Sequence, residues 1–432
     1  MLKKILIMGI FTSCVLSNAV AEDADKVKEA MLAAGAAAKE SKYDVMLESY
    51  QNALKLAPEK EKFNTQLKIA DNIEKINLLK MIVEAIRAYE NAVKLASNTD
   101  EKVSALIKLG KTRYASGYPD DATALKTLQD ILEMPESGPK HKADTYMAIA
   151  DICTDLGSFE KACRQAAAVP GITPEQKADA YGKLINKHRG SYGTGDLVAA
   201  SKILIEAIAL EELPAKRVTF SFQLGEVQQD LHRFEEARQT FKKVMEFPKV
   251  SNNDIATAWM KIAGTHLADV KYMEAPSAKQ YNEAVKCYFE ALKLEKIDYS
   301  GAWLGLAKAY FALNDYGNAM KYVKQVTDNP KADGNSLCQM LCIAGDISME
   351  QENLKAAFES YEKASQVKGV WNDLKIIALD KLITISFTLK NYEAAIKYLE
   401  ELKKTPGRYA KRNKIDLCLE NTRKLQTQTN TK

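Results

Sequence analysis

The chain has 432 residues and a formal net charge of +4, with abundant charged residues, ordinary apolar content and few prolines or glycines. That length exceeds the usual single core and demands several domains or an elongated array. The composition excludes collagen-like and disordered classes, and a chain this close to neutral outside its first residues gives no electrostatic reason to expect nucleic acid as a partner.

At the N-terminus, Lys3 and Lys4 precede an apolar run from Ile5 to Leu16, followed by the small-x-small triplet Ala19-Val20-Ala21. The pattern predicts a signal peptide over residues 1–21, cleavage after Ala21 and export from a bacterial cytoplasm to the periplasm. The run falls short of the roughly 20 apolar residues of a membrane-spanning helix, and no later segment is apolar enough to span. Two alternatives stand beside periplasmic residence: secretion, or lipid attachment at Cys14, because Phe11-Thr12-Ser13-Cys14 resembles a degenerate bacterial lipobox.

Beyond the leader, apolar residues recur at three- and four-residue spacing and predict one helix after another. A unit repeats along the chain. In order it reads KYDVMLESYQNALKLAP (42–58), EAIRAYENAVKLAS (84–97), ALIKLGKTRYASGYPDDA (105–122), LGSFEKA (156–162), DLVAASKILIEAIAL (196–210), LHRFEEA (231–237), YNEAVKCYFEALKL (281–294), LNDYGNA (313–319), LKAAFESYEKA (354–364) and LKNYEAA (389–395). The four heptapeptides align without gaps as Leu-x-x-aromatic-x-x-Ala. One marker position is occupied by Met46, Ala85, Ala122, Ala162, Ala200, Ala237, Ala284, Ala319, Ala357 and Ala395. The second and fifth units (around 67–96 and 178–210) carry extra residues, and 268–280 is an insertion.

Trp303-x-x-Leu306-Ala307-x-x-Tyr310, followed by Ala319 and Pro330, resembles the tetratricopeptide repeat signature. Leu224-Gly225, Ala237, Phe241 and Pro248 match its remaining half, as do Leu109-Gly110 and Ala122. The resemblance covers residues 26 to 406 and implies an all-α, right-handed superhelical solenoid of about ten helix-turn-helix units over 22–406. A capping helix over 407–426 and a disordered tail over 427–432 complete the expected organisation. In such a stack each hairpin buries its apolar face only against its neighbours. Pro58, Pro170, Pro248, Pro330 and Pro406 then mark the ends of second helices.

Catalytic and cofactor motifs are missing: there is no HExxH, GxSxG or GxxxxGK[ST]. His141, His188, His232 and His266 are scattered and never paired at metal-ligand spacing, so no metal or cofactor is expected. The cysteines beyond the leader form no CxxC, fall inside helical patterns and are expected as structural thiols, with a Cys153–Cys163 bridge the most plausible exception. The expected function is a non-enzymatic scaffold for a protein or peptide partner. A lipid-anchored outer-membrane assembly factor and a cell-wall-acting enzyme are the alternatives.

The resemblance also implies where binding occurs, because the first helix of each such unit lines a concave groove. On this chain that places Asp144, Asp151, Asp155, Asp179, Glu226 and Asp230 in the middle units. Met260, Leu267, Leu304, Phe311, Met349 and Phe387 follow toward the C-terminus. The groove is thus expected to be acidic in its middle and apolar later, suited to a partner with basic and hydrophobic parts. Inner-face cations are few, chiefly Lys111 and Lys308, which argues against the carboxylate clamp of one subclass of the family.

Overall fold

The helical periodicity is realised throughout the computed structural model, which describes residues 24–116, 121–190, 195–210, 214–273, 278–295, 299–406 and 412–430. Among the described residues there are helices, turns and bends but no strands. The chain divides into two units at residues 188 and 189. The first holds α1 (24–39), α2 (Tyr43–Leu56), α3 (Glu59–Glu74), α4 (Leu79–Leu95), α5 (Thr99–Ser116), α6 (Asp121–Glu133), α7 (Pro139–Ile152), α8 (Leu156–Ala168) and α9 (Pro174–Arg189). The second holds α10 (Leu197–Ile208), α11 (Pro214–Asp230), α12 (Phe234–Val244), α13 (Asn252–Val270), α14 (Ala278–Leu292), α15 (Ser300–Ala312), α16 (Tyr316–Thr327), α17 (Gly334–Glu350), α18 (Leu354–Gln366), α19 (Asn372–Thr388), α20 (Tyr392–Lys404) and α21 (Arg412–Asn430). The second unit of the repeat begins at Glu59, upstream of the boundary near 67 expected from sequence. Helix α21 continues through 427–430, where a tail was expected. The leader over 1–21, Cys14 with it, and residues 407–411 of the expected cap lie outside the described residues.

Three of the four heptapeptides share one turn. In LNDYGNA, Asn314 adopts φ 58°. The Asp315 N–H reaches back to the Tyr310 carbonyl (2.9 Å), closing a Schellman motif. Asp315 then caps α16 by accepting from the Asn318 N–H. His232 and Lys390 repeat the left-handed residue, and Asn391 repeats the cap. LGSFEKA departs from them. Asp155 accepts from the Ser158 N–H, so α8 starts a turn early, at Leu156, with no left-handed residue before it. A gapless alignment therefore conceals two different turns; the competing cap decides which one forms.

The marker position packs the hairpins. Met46, Ala85, Ala200, Ala237, Ala284, Ala319, Ala357 and Ala395 are fully buried, and Ala162 nearly so. The third unit is a correction: Ala122 is exposed, and Ala124 takes the buried place with Leu128 and Ile131 one and two turns on. The residue four positions after the marker enters a slot opened by a glycine. A Cβ on Gly225 would overlap the Phe241 ring, and one on Gly345 would overlap Tyr361. On α15, Gly305, two positions earlier in the register, receives Tyr288 from the preceding hairpin. The opening aromatics of the repeat are also structural, since Tyr310 stacks on Tyr322 with ring centroids 5.9 Å apart.

Within each unit consecutive helices pack, and the odd-numbered helices also pack on one another: α3 on α5 on α7, and α11 on α13 on α15 on α17 on α19. Among the described residues the even-numbered helices do not approach one another to this extent. The odd row is consequently the shorter, inner side of each stack, and its free face is the place to look for function.

Candidate functional site

Acid–lysine pairs cross the inner face at one fixed register. In the first unit Asp71, directly after Ala70 on α3, accepts from Lys108 of α5 at 2.6 Å. The Tyr89 hydroxyl lies 2.7 Å from Asp71 and 2.9 Å from Glu74, and burial together with these carboxylates pushes its pKa far up. Asp151, directly after Ala150 on α7, pairs with Lys183 of α9 and with Lys111 of α5 (2.7 Å). Burial alone would raise the Asp151 pKa, but hydrogen bonds and charge from the two lysines hold it below the usual carboxylate value.

The second unit uses the same register twice. Glu226, after Gly225, pairs with Lys261 at 2.6 Å. Asp346, after Gly345, pairs with Lys381 and accepts from the Tyr361 hydroxyl at 2.6 Å. In all four cases a carboxylate follows a small residue, and a lysine preceding Leu or Ile answers it one repeat later.

Between α13 and α17 the ladder lapses. The acid's place is taken by Gly264 on α13 and Lys308 on α15, and the lysine's place by Gly305 on α15 and Ile343 on α17. A Cβ on Gly264 would meet nothing within 4 Å, so the face there is open. Lys308 donates to the Gln339 side chain at 2.9 Å and pairs with no carboxylate among the described residues. Its crowded surroundings and the nearby charge of Lys271 both lower its pKa.

Met260, Leu267, Leu304 and Phe311 lie half-buried around this gap, packed against the core beneath. Beside it opens a cavity of about 580 Å³ lined by Phe311, Met349, Glu350, Ile377, Asp380 and Thr384, with the Asp346–Lys381 pair in its wall. Ile377, in the cavity wall, is 47% exposed.

The expected acidic middle is distributed differently. Asp151 and Glu226 lie on the inner face, but each is tied to lysines. Asp144 faces a smaller cavity of about 390 Å³ beside Lys108, Lys111 and Asp151. Asp155 stands in the turn after α7 and serves as the α8 cap. Asp179 and Asp230 are exposed, the latter as the last residue of α11. Of the apolar candidates, Phe311 and Met349 share the 580 Å³ cavity, whereas Phe387 packs edge-on against Tyr392 at 6.4 Å and does not line it. Glu350, Ile377, Asp380 and Thr384 were not foreseen; the lysine-before-leucine spacing would have located the face that carries them.

His266, at the signature tyrosine position, is half-buried and bonded to Gln280 at 2.7 Å. Burial lowers its pKa. Cys153 and Cys163 are not bridged; all six described cysteines are free thiols. Burial pushes the Cys163 and Cys287 thiols up to about 11. No group of three or more His, Cys, Asp or Glu side chains among the described residues is arranged to hold a metal ion.

A tetratricopeptide repeat family model matches residues 300–332, the α15–α16 hairpin and the turn after it. No curated protein matches the sequence. A tetratricopeptide repeat protein from Parabacteroides merdae is 14% identical, with 75% of this chain and 98% of that one covered at a TM-score of 0.34. The human IFIT1 dimer with m7Gppp-AAAA is also 14% identical, covering 93% and 89% at a TM-score of 0.43. At that level these likenesses carry no function across. The matched hairpin is a tetratricopeptide repeat, and small buried residues and αL turns recur in register with it along the described helices, an all-α stack of similar hairpins.

Proposed function

We propose that the chain is a non-enzymatic scaffold that holds a protein or peptide segment along the inner face from α13 to α19. The observation that carries this reading is the lapse of the ladder. Elsewhere on the inner face carboxylates and lysines satisfy each other, but at Gly264–Lys308 they give way to open space, half-buried apolar side chains and a cation without a carboxylate. Such a patch is costly to leave bare and favourable to cover. Extended peptides and amphipathic helices cover faces of this kind.

The reading extends to place. The basic, apolar and small-residue sequence of residues 1–21 supports export to a bacterial envelope, with periplasmic residence. Mass spectrometry of the mature protein checks this: a chain starting at Glu22 is expected, and one starting at a lipid-modified Cys14 would replace the periplasmic reading by an anchored one.

Binding is tested by crosslinking and pull-down from the native envelope with wild type, Leu304→Asp and Lys183→Met. Leu304→Asp is expected to lose the captured partner and Lys183→Met, on the first unit, to keep it. Capture undiminished by Leu304→Asp would remove the α13–α19 face from consideration.

A further inference from the structure

The gap fixes what kind of segment fits, an inference that rests on the binding reading above. Going across the inner face from α15 to α19, the charges without a counter-ion among the described residues change sign. On α15 the free charge is Lys308, with Lys271 adding positive potential at the end of α13. On α17 and α19 the cavity wall carries Glu350 and Asp380, both exposed and neither paired with a cation among the described residues. Glu350 is also the last residue of α17, where the helix end itself carries partial negative charge. The other charges in the wall, Asp346 and Lys381, neutralise each other. Between the two ends lie Phe311, Met349 and Ile377.

We propose that the α15–α19 face recognises a dipolar peptide: a carboxylate seated on Lys308, a short apolar stretch over Phe311, Met349 and Ile377, and a cationic side chain received by Glu350 and Asp380. The spacing follows from helix packing. Neighbouring helices sit about 8–10 Å apart, so α15 to α19 is a span of about 20 Å. An extended chain rises about 3.3 Å per residue and covers it in about six steps. The two charges should therefore be about six residues apart. A bare apolar segment would leave Lys308, Glu350 and Asp380 covered without counter-charges, which is unfavourable. A segment of uniform charge would satisfy one end and repel the other.

The test uses the full mature chain and fluorescein-labelled seven-residue peptides with neutral apolar interiors, read by anisotropy at low salt. One peptide carries Asp at one end and Lys at the other; the controls carry Asp at both ends or Lys at both. The opposite-charge peptide is expected to bind about tenfold more tightly than either control, with the advantage shrinking in high salt. Lys308→Glu should transfer the preference to the Lys–Lys peptide, and Asp380→Lys should transfer it to the Asp–Asp peptide. A transferred preference cannot come from misfolding. Equal affinities for the three peptides, or no binding of the opposite-charge peptide, overturns the inference. If Leu304→Asp still abolishes capture of the native partner in that case, the scaffold reading survives and only the charge pattern falls.

Discussion

The inner faces of the two units follow one rule and apply it differently. In the first unit the successive odd helices from α3 to α9 are joined by Asp71–Lys108, Lys111–Asp151 and Asp151–Lys183. In the second, α11 joins α13 and α17 joins α19 through the same register, while the two junctions between them have no such pair among the described residues. Half-exposed ion pairs contribute little individually, about 0–1 kcal/mol. The ladder's larger effect is on availability: a carboxylate already holding two lysines offers a partner little. Function is therefore expected where the ladder stops, and stability where it continues.

The largest effect that sharpens this contrast concerns two glycines inside the gap. A Cβ on Gly305 would overlap the Tyr288 ring, whereas one on Gly264 would meet nothing. Gly305→Ala is expected to destabilise by about 3 kcal/mol through overpacking. Gly264→Ala is expected to be neutral or to stabilise by up to about 1 kcal/mol, the ordinary helix-propensity gain. Urea unfolding of the two variants separates a glycine that the fold requires from one that merely leaves the face open. Equal losses at both positions would mean that the gap is a packing feature and not a free surface.

Most of the fold was legible because the repeat is written in small residues and turn chemistry, which act locally. The marker alanines and the helix-ending prolines fell where sequence placed them, and Ala122 slipped only because Ala124 offers a second small residue two positions on. LGSFEKA misled for a related reason: Asp155, outside the aligned heptapeptide, is the better cap. The site was less legible. Helical register placed Asp151, Glu226 and Lys111 on first helices but missed Lys183, Lys261 and the pairing itself, because each partner sits one whole repeat away. Phe311 and Met349 were visible from helical register alone. Glu350, Ile377 and Asp380 were not, since what distinguishes them is the lack of a neighbour's countercharge or cover, a property of packing between repeats.

A smaller contrast is expected between two lysines. Lys183→Met in the first unit leaves Asp151 with Lys111 alone and also removes a bond to the Met147 carbonyl, and should cost about 1–2 kcal/mol. Lys308→Met in the second unit should cost nothing or bring a slight gain. The folded-state pKa of Lys308 lies below its ordinary value, so protonated Lys308 weighs against the fold at neutral pH, and the burden lifts only as pH rises through that pKa. Keeping such a charge has no stabilising explanation on this face. Denaturant midpoints at pH 7 for both variants make the comparison; a clear loss on Lys308→Met would show that this cation is structural after all.

The smallest effect is the pH dependence of the first unit's ladder. The Asp151 carboxyl titrates below its ordinary value of 3.8 in the folded chain. Its ion pairs therefore stabilise fully above that value, and the contribution fades as pH falls through the lower folded-state pKa. Asp151→Asn should be less stable than wild type at pH 7, and the two should converge as pH drops from about 5 toward 3. No comparable convergence is expected for Lys308→Met, whose group is fully protonated across that range. Parallel urea midpoints for Asp151→Asn and wild type down to pH 3, with no convergence, would show that Asp151 is not held by Lys111 and Lys183. The contrast between a closed ladder and an open one would then lose its energetic basis.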